Sequence, residues 1–248
     1  MLNKIFGTVG ISVSSVLVSA SVSLAYPLGP FPSESISGHR SSPPYGWDYN
    51  YDIEFTADEL LKIHVEIDFN LINGVTQTRL NELKPIWEKG IEDTWNNKYA
   101  ILKDDTYLFP IAFDVTFDGP VFNYNVNVRP GPERSDMINW DTEDTGLVAA
   151  HEFGHMLGLF DEYEGGATDP INKIVDPTSI MGSTAPGSQP KARHYEDFRA
   201  WLAAKDTTET FVLTQATQVP EPGTAISLTL GFTGLVITRV CRRQAKVA

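Results

Sequence analysis

The sequence predicts an α+β domain, and three stretches predict it. Ile63, Val65, Ile67 and Phe69 alternate with His64, Glu66 and Asp68, the period-two pattern of a half-buried strand. Leu80, Leu83, Ile86, Trp87, Ile91 and Trp95 recur at helical spacing over residues 77–98. A second helical stretch, residues 146–159, turns Val148, Ala149, Phe153, Met156 and Leu157 toward a core and carries His151 and His155 four residues apart on one face. Once the two unusual ends of the 248-residue chain are set aside, what remains suits one domain with a single well-buried core.

Residues 1–25 carry Lys4, an uncharged run rich in Val, Ile, Leu, Ser and Ala, and small residues at Ser23 and Ala25. This is the layout of a secretory signal peptide. Residues 26–50 hold Pro27, Pro30, Pro32, Pro43 and Pro44 among serines and glycines and are expected to be a mobile lead-in to a domain over 51–210. His39 reads there as a solvated loop residue, and His64 as solvent-facing from the polar side of its strand. Pro85 is expected to kink the helix over 77–98 or to mark a second start, and Asn96-Asn97 ends it. Residues 109–117 and 121–128 read as two strands joined by a turn at Asp118-Gly119-Pro120, so that they lie side by side. The second is a candidate edge strand bordering a substrate cleft. A loop containing Trp140 follows Arg129-Pro-Gly-Pro132. Asp141-Thr-Glu-Asp144 then supplies a helix start, with a capping residue and acids in the first turn. The same carboxylates are candidates for Ca²⁺.

The chemistry is concentrated in residues 151–161. Two imidazoles one helical turn apart suit Zn²⁺, which accepts neutral ring nitrogens and in catalytic sites takes three protein ligands with one position open. Glu152 lies next to that face, within reach of a water at the metal. Gly158 can take the left-handed conformation that ends a helix and reverses the chain, which brings Asp161 back toward the histidines. Glu162, Glu164 and Glu196 are the other candidates for a third ligand.

The run His151-Glu152-Phe-Gly-His155-Met-Leu-Gly158-Leu-Phe-Asp161 resembles the metzincin metalloproteases, whose pattern is His-Glu-x-x-His-x-x-Gly-x-x-His or Asp. The resemblance implies a metzincin or zincin-like fold: a mixed twisted sheet, a long N-terminal helix, an active-site helix and a small C-terminal subdomain after the glycine turn. It implies Zn²⁺ on His151, His155 and Asp161, with Glu152 as general base. Ser179-Ile-Met181-Gly182 is the candidate for the methionine turn that packs beneath the metal in that family. Some members have a tyrosine two residues after that methionine, whereas this chain has Ser183. A transition-state donor would then be Tyr163, His194 or Tyr195, or would be absent. Asp161-Glu162-Tyr163 extends the likeness to bacterial metzincin-like proteins, with Glu162 either a hydrogen-bond partner behind the ligands or an exposed residue. Gly165-Gly166 reads as a flexible loop. Residues 194–202 read as a final amphipathic helix with Tyr195, Phe198, Trp201 and Leu202 inward and His194 as a capping or surface residue at its start.

After a linker over 211–223, Val219-Pro-Glu-Pro-Gly223 precedes an apolar stretch from Thr224 to Thr238 and a basic end at Arg239, Arg242, Arg243 and Lys246. That order resembles the PEP-CTERM sorting signal of Gram-negative bacteria. It implies transient inner-membrane anchoring by residues 224–248, cleavage by an exosortase, and delivery to the cell surface or outside. The apolar stretch falls short of the ~20 residues that cross a bilayer as a helix, which suits transient retention. Five basic residues and only one acid, Glu221, lie in these two ends, so the middle of the chain is more acidic than the −13 of the whole. Nucleic acid is excluded as a partner on that ground, and Ca²⁺ is a second candidate ion. The single cysteine, Cys241, lies in the tail and leaves the domain without a disulfide.

These readings converge on an exported zinc endopeptidase acting on a protein or peptide, in which Glu152 moves the proton of a metal-activated water. The alternative from another class is a non-catalytic, metal-containing surface or extracellular-matrix binding protein. Glu152 speaks against it, because a purely structural site needs no base.

Overall fold

A computed structural model describes residues 28–216 of the chain, so the readings of residues 1–25 and 219–248 lie outside the described residues. Eight strands and three helices follow in the order β1 (Phe31–Ser42), β2 (Tyr45–Phe55), β3 (Leu61–Leu71), α1 (Gln77–Trp95), β4 (Tyr99–Lys103), β5 (Tyr107–Phe117), β6 (Tyr124–Arg129), β7 (Asn139–Asp141), α2 (Gly146–Met156), α3 (Glu196–Lys205) and β8 (Phe211–Gln215). The sheet runs β1-β2-β3-β5-β4-β8, with β6 joining β3 to β7. β3 pairs in parallel with both β5 and β6, and β6 with β7, while the remaining pairs are antiparallel. The architecture is therefore mixed α/β around a curled mixed sheet, in keeping with the α+β expectation. No helix among the described residues is long and apolar enough to cross a membrane.

The alternation in β3 does what its period requires. Leu61, Ile63, Val65 and Ile67 are fully buried, and they share one core with Phe113 of β5, Trp95 of α1 and Phe153 of α2. Trp95 contacts both Phe113 and Phe153, at ring separations of 5.6 and 6.2 Å, so the two helices pack together on one face of the sheet. Trp87 and Trp95 also donate their indole N–H groups to Asp144 O and Ala150 O, which fixes α1 against the start and middle of α2. On the opposite face of β3, His64 is only partly exposed and bonds Asp114 at 3.1 Å.

Several expectations are corrected. The lead-in expected over residues 26–50 is not mobile from residue 31 on: β1 and β2 form a long antiparallel hairpin that runs on to Phe55, with Ser42 opposite Tyr45 around Pro43-Pro44. The prolines and serines obscured a hairpin that gains its order from distant partners, among them Ser42 Oγ to Thr168 O at 2.6 Å and Arg40 Nε to Gly158 O at 2.7 Å. His39 lies on β1 and pairs with Asp48 across the hairpin. Pro85 begins no second helix, since α1 runs continuously through it with Pro85 exposed, and Ile86 points outward as well.

β5 and β6 are not neighbours. Ile67 O accepts from Asp118 N and Glu66 O from Asn123 N, and successive carbonyls leave a strand on opposite edges, so β5 and β6 flank β3 on its two sides. Asp118-Gly119-Pro120 is thus a crossover, held where Glu66 accepts the N–H of Gly119. β6 is covered by β7 over Asn127–Arg129 only, so no strand among the described residues pairs with Tyr124–Val126 on the side away from β3. The cap of α2 is Thr145 rather than an acid of residues 141–144. Residues 211–215 form no linker but an edge strand on β4, anchored by buried Phe211. Among residues 192–202, Tyr195, Phe198 and Leu202 are buried as expected, while Trp201 is half-exposed and bonds Glu34.

Candidate metal centre

α2 begins at Thr145, whose hydroxyl accepts from Val148 N, and every residue from Ala149 to Met156 is buried. Its C-terminal carbonyls, which have no partner within the helix, are satisfied from outside: Trp47 Nε1 donates to His155 O at 3.0 Å and Tyr124 Oη to Met156 O at 2.9 Å. Trp47 also sets its ring edge-to-face on the His155 imidazole at 5.3 Å. The hairpin that looked mobile in sequence therefore braces the end of the histidine helix.

Gly158 has φ +85°, the left-handed conformation that reverses the chain, and a Cβ there would meet Tyr49 at 2.9 Å. The return segment is locked by Asp161 N to Ala167 O at 3.0 Å and by Ala167 N to Asp161 Oδ2 at 2.6 Å. Asp161 Oδ1 is left facing the histidines, 3.2 Å from His151 Nε2 and 3.3 Å from His155 Nε2. Among the described residues, His151, His155 and Asp161 are the group of three whose ligand atoms come together, and all three are buried.

The hydrogen bonds behind the rings decide what this cluster can hold. His151 Nδ1 lies 2.8 Å from Ile180 O and His155 Nδ1 lies 2.9 Å from Leu159 O. A carbonyl only accepts, so both Nδ1 atoms carry their protons, and each ring in its neutral form presents an Nε2 lone pair to the other ring and to Asp161. Asp161 Oδ1 is buried with no hydrogen-bond partner. Burial would raise the Asp161 carboxyl, but where His151 and His155 carry protons on Nε2 their hydrogen bonds and charge outweigh that and hold it below the usual carboxylate range. Two imidazolium protons or one shared cation could satisfy this oxygen. Two charged rings 5.0 Å apart in a buried site repel each other, whereas one cation serves all three acceptors. The residues fit a metal ion.

Glu152, one residue on, is also buried, and its Oε2 has no partner. Burial pushes its carboxyl up to about 7. Met181 lies beneath α2, fully buried in the turn Ser179–Gly182, which closes through Gly182 N to Ser179 O. That turn holds the centre twice: Ile180 O receives His151, and Met181 O receives Glu162 N, the amide directly after Asp161.

The other ligand candidates are engaged elsewhere. Glu164 pairs with Lys173 and Glu196 with Arg199. Glu162 is buried and bonded by Arg193 at 2.6 Å and by His194 at 3.1 Å. Burial alone would raise Glu162, yet these partners hold it at about 2. His194 is buried rather than a surface residue, and its Nδ1 caps the turn at Ala192–Tyr195 by accepting from Lys191 N. Tyr195 donates to Trp95 O inside the core. Of the three residues named as donors, only Tyr163 borders the ligands, its ring 6.2 Å from that of His151. Asp141 and Asp144 spend their carboxylates on loop amides and Ser135 instead of converging on an ion. Sequence reasoning missed Trp47 and Arg134, which reach the site from distant segments and match no motif. No protein-family model, curated protein or solved structure matches the chain.

Proposed function

We propose that the chain is an exported zinc endopeptidase of metzincin type, cleaving protein or peptide substrates with Glu152 as general base. One observation carries the reading: two imidazole Nε2 atoms and one unpartnered Asp161 oxygen converge in a buried cluster beside a second carboxylate with an unpartnered oxygen, Glu152. A structural metal site needs only the first three. A Zn²⁺ ion held there supplies Lewis-acid polarisation of a peptide carbonyl and makes water acidic enough to attack near neutral pH. His151, His155 and Asp161 hold the ion, their orientations set by Ile180 O, Leu159 O and Ala167 N. Glu152 Oε2 takes the proton of the attacking water and returns it to the leaving amine. Tyr163, whose ring lies 6.2 Å from that of His151, is the candidate for donating a hydrogen bond to the developing oxyanion. The signal-peptide reading of residues 1–25 and the PEP-CTERM reading of the tail support export, exosortase processing and action at the surface or outside.

The test is digestion of a peptide library by the zinc-loaded chain alongside Glu152→Gln. Cleavage by the parent, with loss of roughly a thousandfold or more in the variant and unchanged zinc content, is expected for a missing general base. Cleavage that survives the substitution refutes the mechanism. No cleavage by either form, with zinc bound, favours the binding-protein alternative.

A further inference from the structure

Resting on the endopeptidase reading, we propose that Arg134 is the specificity residue of this site and selects an acidic side chain close to the scissile bond. Its loop is built to present it. Buried Asp141 accepts the N–H groups of Glu133 at 2.8 Å and Glu143 at 2.7 Å, and Asp144 accepts Ser135 Oγ at 2.6 Å and Asp141 N at 2.8 Å. Arg129 donates to the Arg134 carbonyl at 2.6 Å. The backbone around residue 134 is thus held from both sides, while the Arg134 side chain itself is exposed.

That side chain reaches the metal centre. Arg134 Nη2 donates to the Tyr163 hydroxyl at 2.8 Å, and Tyr163 stands beside His151.

Its charge is also unspent. The chain has 32 acidic and 19 basic residues, and among the described residues most lysines and arginines sit in ion pairs. Neighbouring Arg129 pairs with Glu133. Arg134 forms no ion pair among the described residues and keeps N–H donors beyond the one given to Tyr163. A planar guanidinium with free donors is suited to a carboxylate. The surrounding acidity would by itself favour basic substrates, so a preference for an acid has to come from this one cation.

The experiment compares fluorogenic peptides that differ only by Glu or Gln at each position flanking the scissile bond, with the C-terminus amidated so that no terminal carboxylate competes. For the zinc-loaded full chain, kcat/KM is expected to be about tenfold higher for the Glu peptide at one position, the size of one charge-assisted contact. Arg134→Gln should bring the ratio to near one, and Arg134→Lys should retain part of it. Binding of the same pair to Glu152→Gln and to Glu152→Gln/Arg134→Gln, followed by fluorescence anisotropy, gives a readout independent of turnover. A Glu/Gln ratio unchanged by Arg134→Gln in both assays overturns the proposal and leaves the endopeptidase reading intact. Absent cleavage with Arg134-dependent binding of the Glu peptide overturns the endopeptidase reading and retains the carboxylate site. Absent cleavage together with no Arg134-dependent binding overturns both the endopeptidase reading and the carboxylate site.

Discussion

Gly154 lies in the histidine helix directly above Met181, and the contact is close enough for its energetics to be worked out in advance. A Cβ on residue 154 would stand 2.3 Å from Met181 Sδ, 3.1 Å from Met181 Cε and 3.3 Å from Trp95 Cζ2. The first distance is impossible without movement, and Met181 is fully buried. Gly154→Ala should gain about 1 kcal/mol of helix propensity and lose about 1–3 kcal/mol to overpacking, for a net loss of roughly 0–2 kcal/mol. Met181→Ala alone should cost about 2–5 kcal/mol through the cavity it opens. In that cavity the new methyl has room, so Gly154→Ala should change sign and stabilise the Met181→Ala protein by up to about 1 kcal/mol. Urea unfolding of the four proteins in chelator gives the coupling, expected at about 1–3 kcal/mol. Additive effects, with Gly154→Ala equally costly in both backgrounds, would refute the packing of the methionine turn beneath this helix.

Asp161→Ala should lower zinc affinity at least tenfold, measured by competition with a chromogenic chelator; retained stoichiometric tight binding would remove Asp161 from the ligand set. Gly158→Ala should destabilise by about 1–3 kcal/mol, because φ +85° disfavours a side chain and its Cβ meets Tyr49; thermal unfolding reads the loss, and an unchanged midpoint contradicts the turn geometry. Glu162 supplies a pH dependence. Its folded pKa of about 2 lies below the ordinary 4.5, so its stabilisation is complete above 4.5 and is lost as pH falls toward 2. The shift corresponds to about 3 kcal/mol, so in metal-free protein Glu162→Gln should flatten the stability profile between those pH values, and an unaltered profile would show the ion pair to be inert.

The centre was largely legible because its parts are close in sequence and each has a local cause. A helix puts His151 and His155 on one face, Gly158 permits the reversal, and Asp161 lies a few residues further on. Met181 was legible through its position after that run. The hairpin at residues 31–55 was not, since its order comes from bonds such as Trp47 to His155 O and Arg40 to Gly158 O, more than a hundred residues away. Asp141 and Asp144 looked like helix-start acids for a similar reason: their partners, Glu133 N and Ser135 Oγ, precede them across a turn that no periodicity reveals. The crossover at residues 118–120 looked like a hairpin turn because turn chemistry is the same whether the next strand pairs beside the last or passes to the far side of β3.

Periodicity and spacing determined the strand β3, the helices α1 and α2, and the set of side chains able to hold a metal, because each depends on backbone repeats acting over a few residues. Tertiary structure decided the rest. It brought Asp161 to the two histidines and engaged Glu162, Glu164 and Glu196 with arginines or lysine, and it drew the proline-rich hairpin against the histidine helix. It also set Arg134 beside Tyr163. Buried polar groups must find partners, and where those partners come from distant segments only the packed chain brings them into reach.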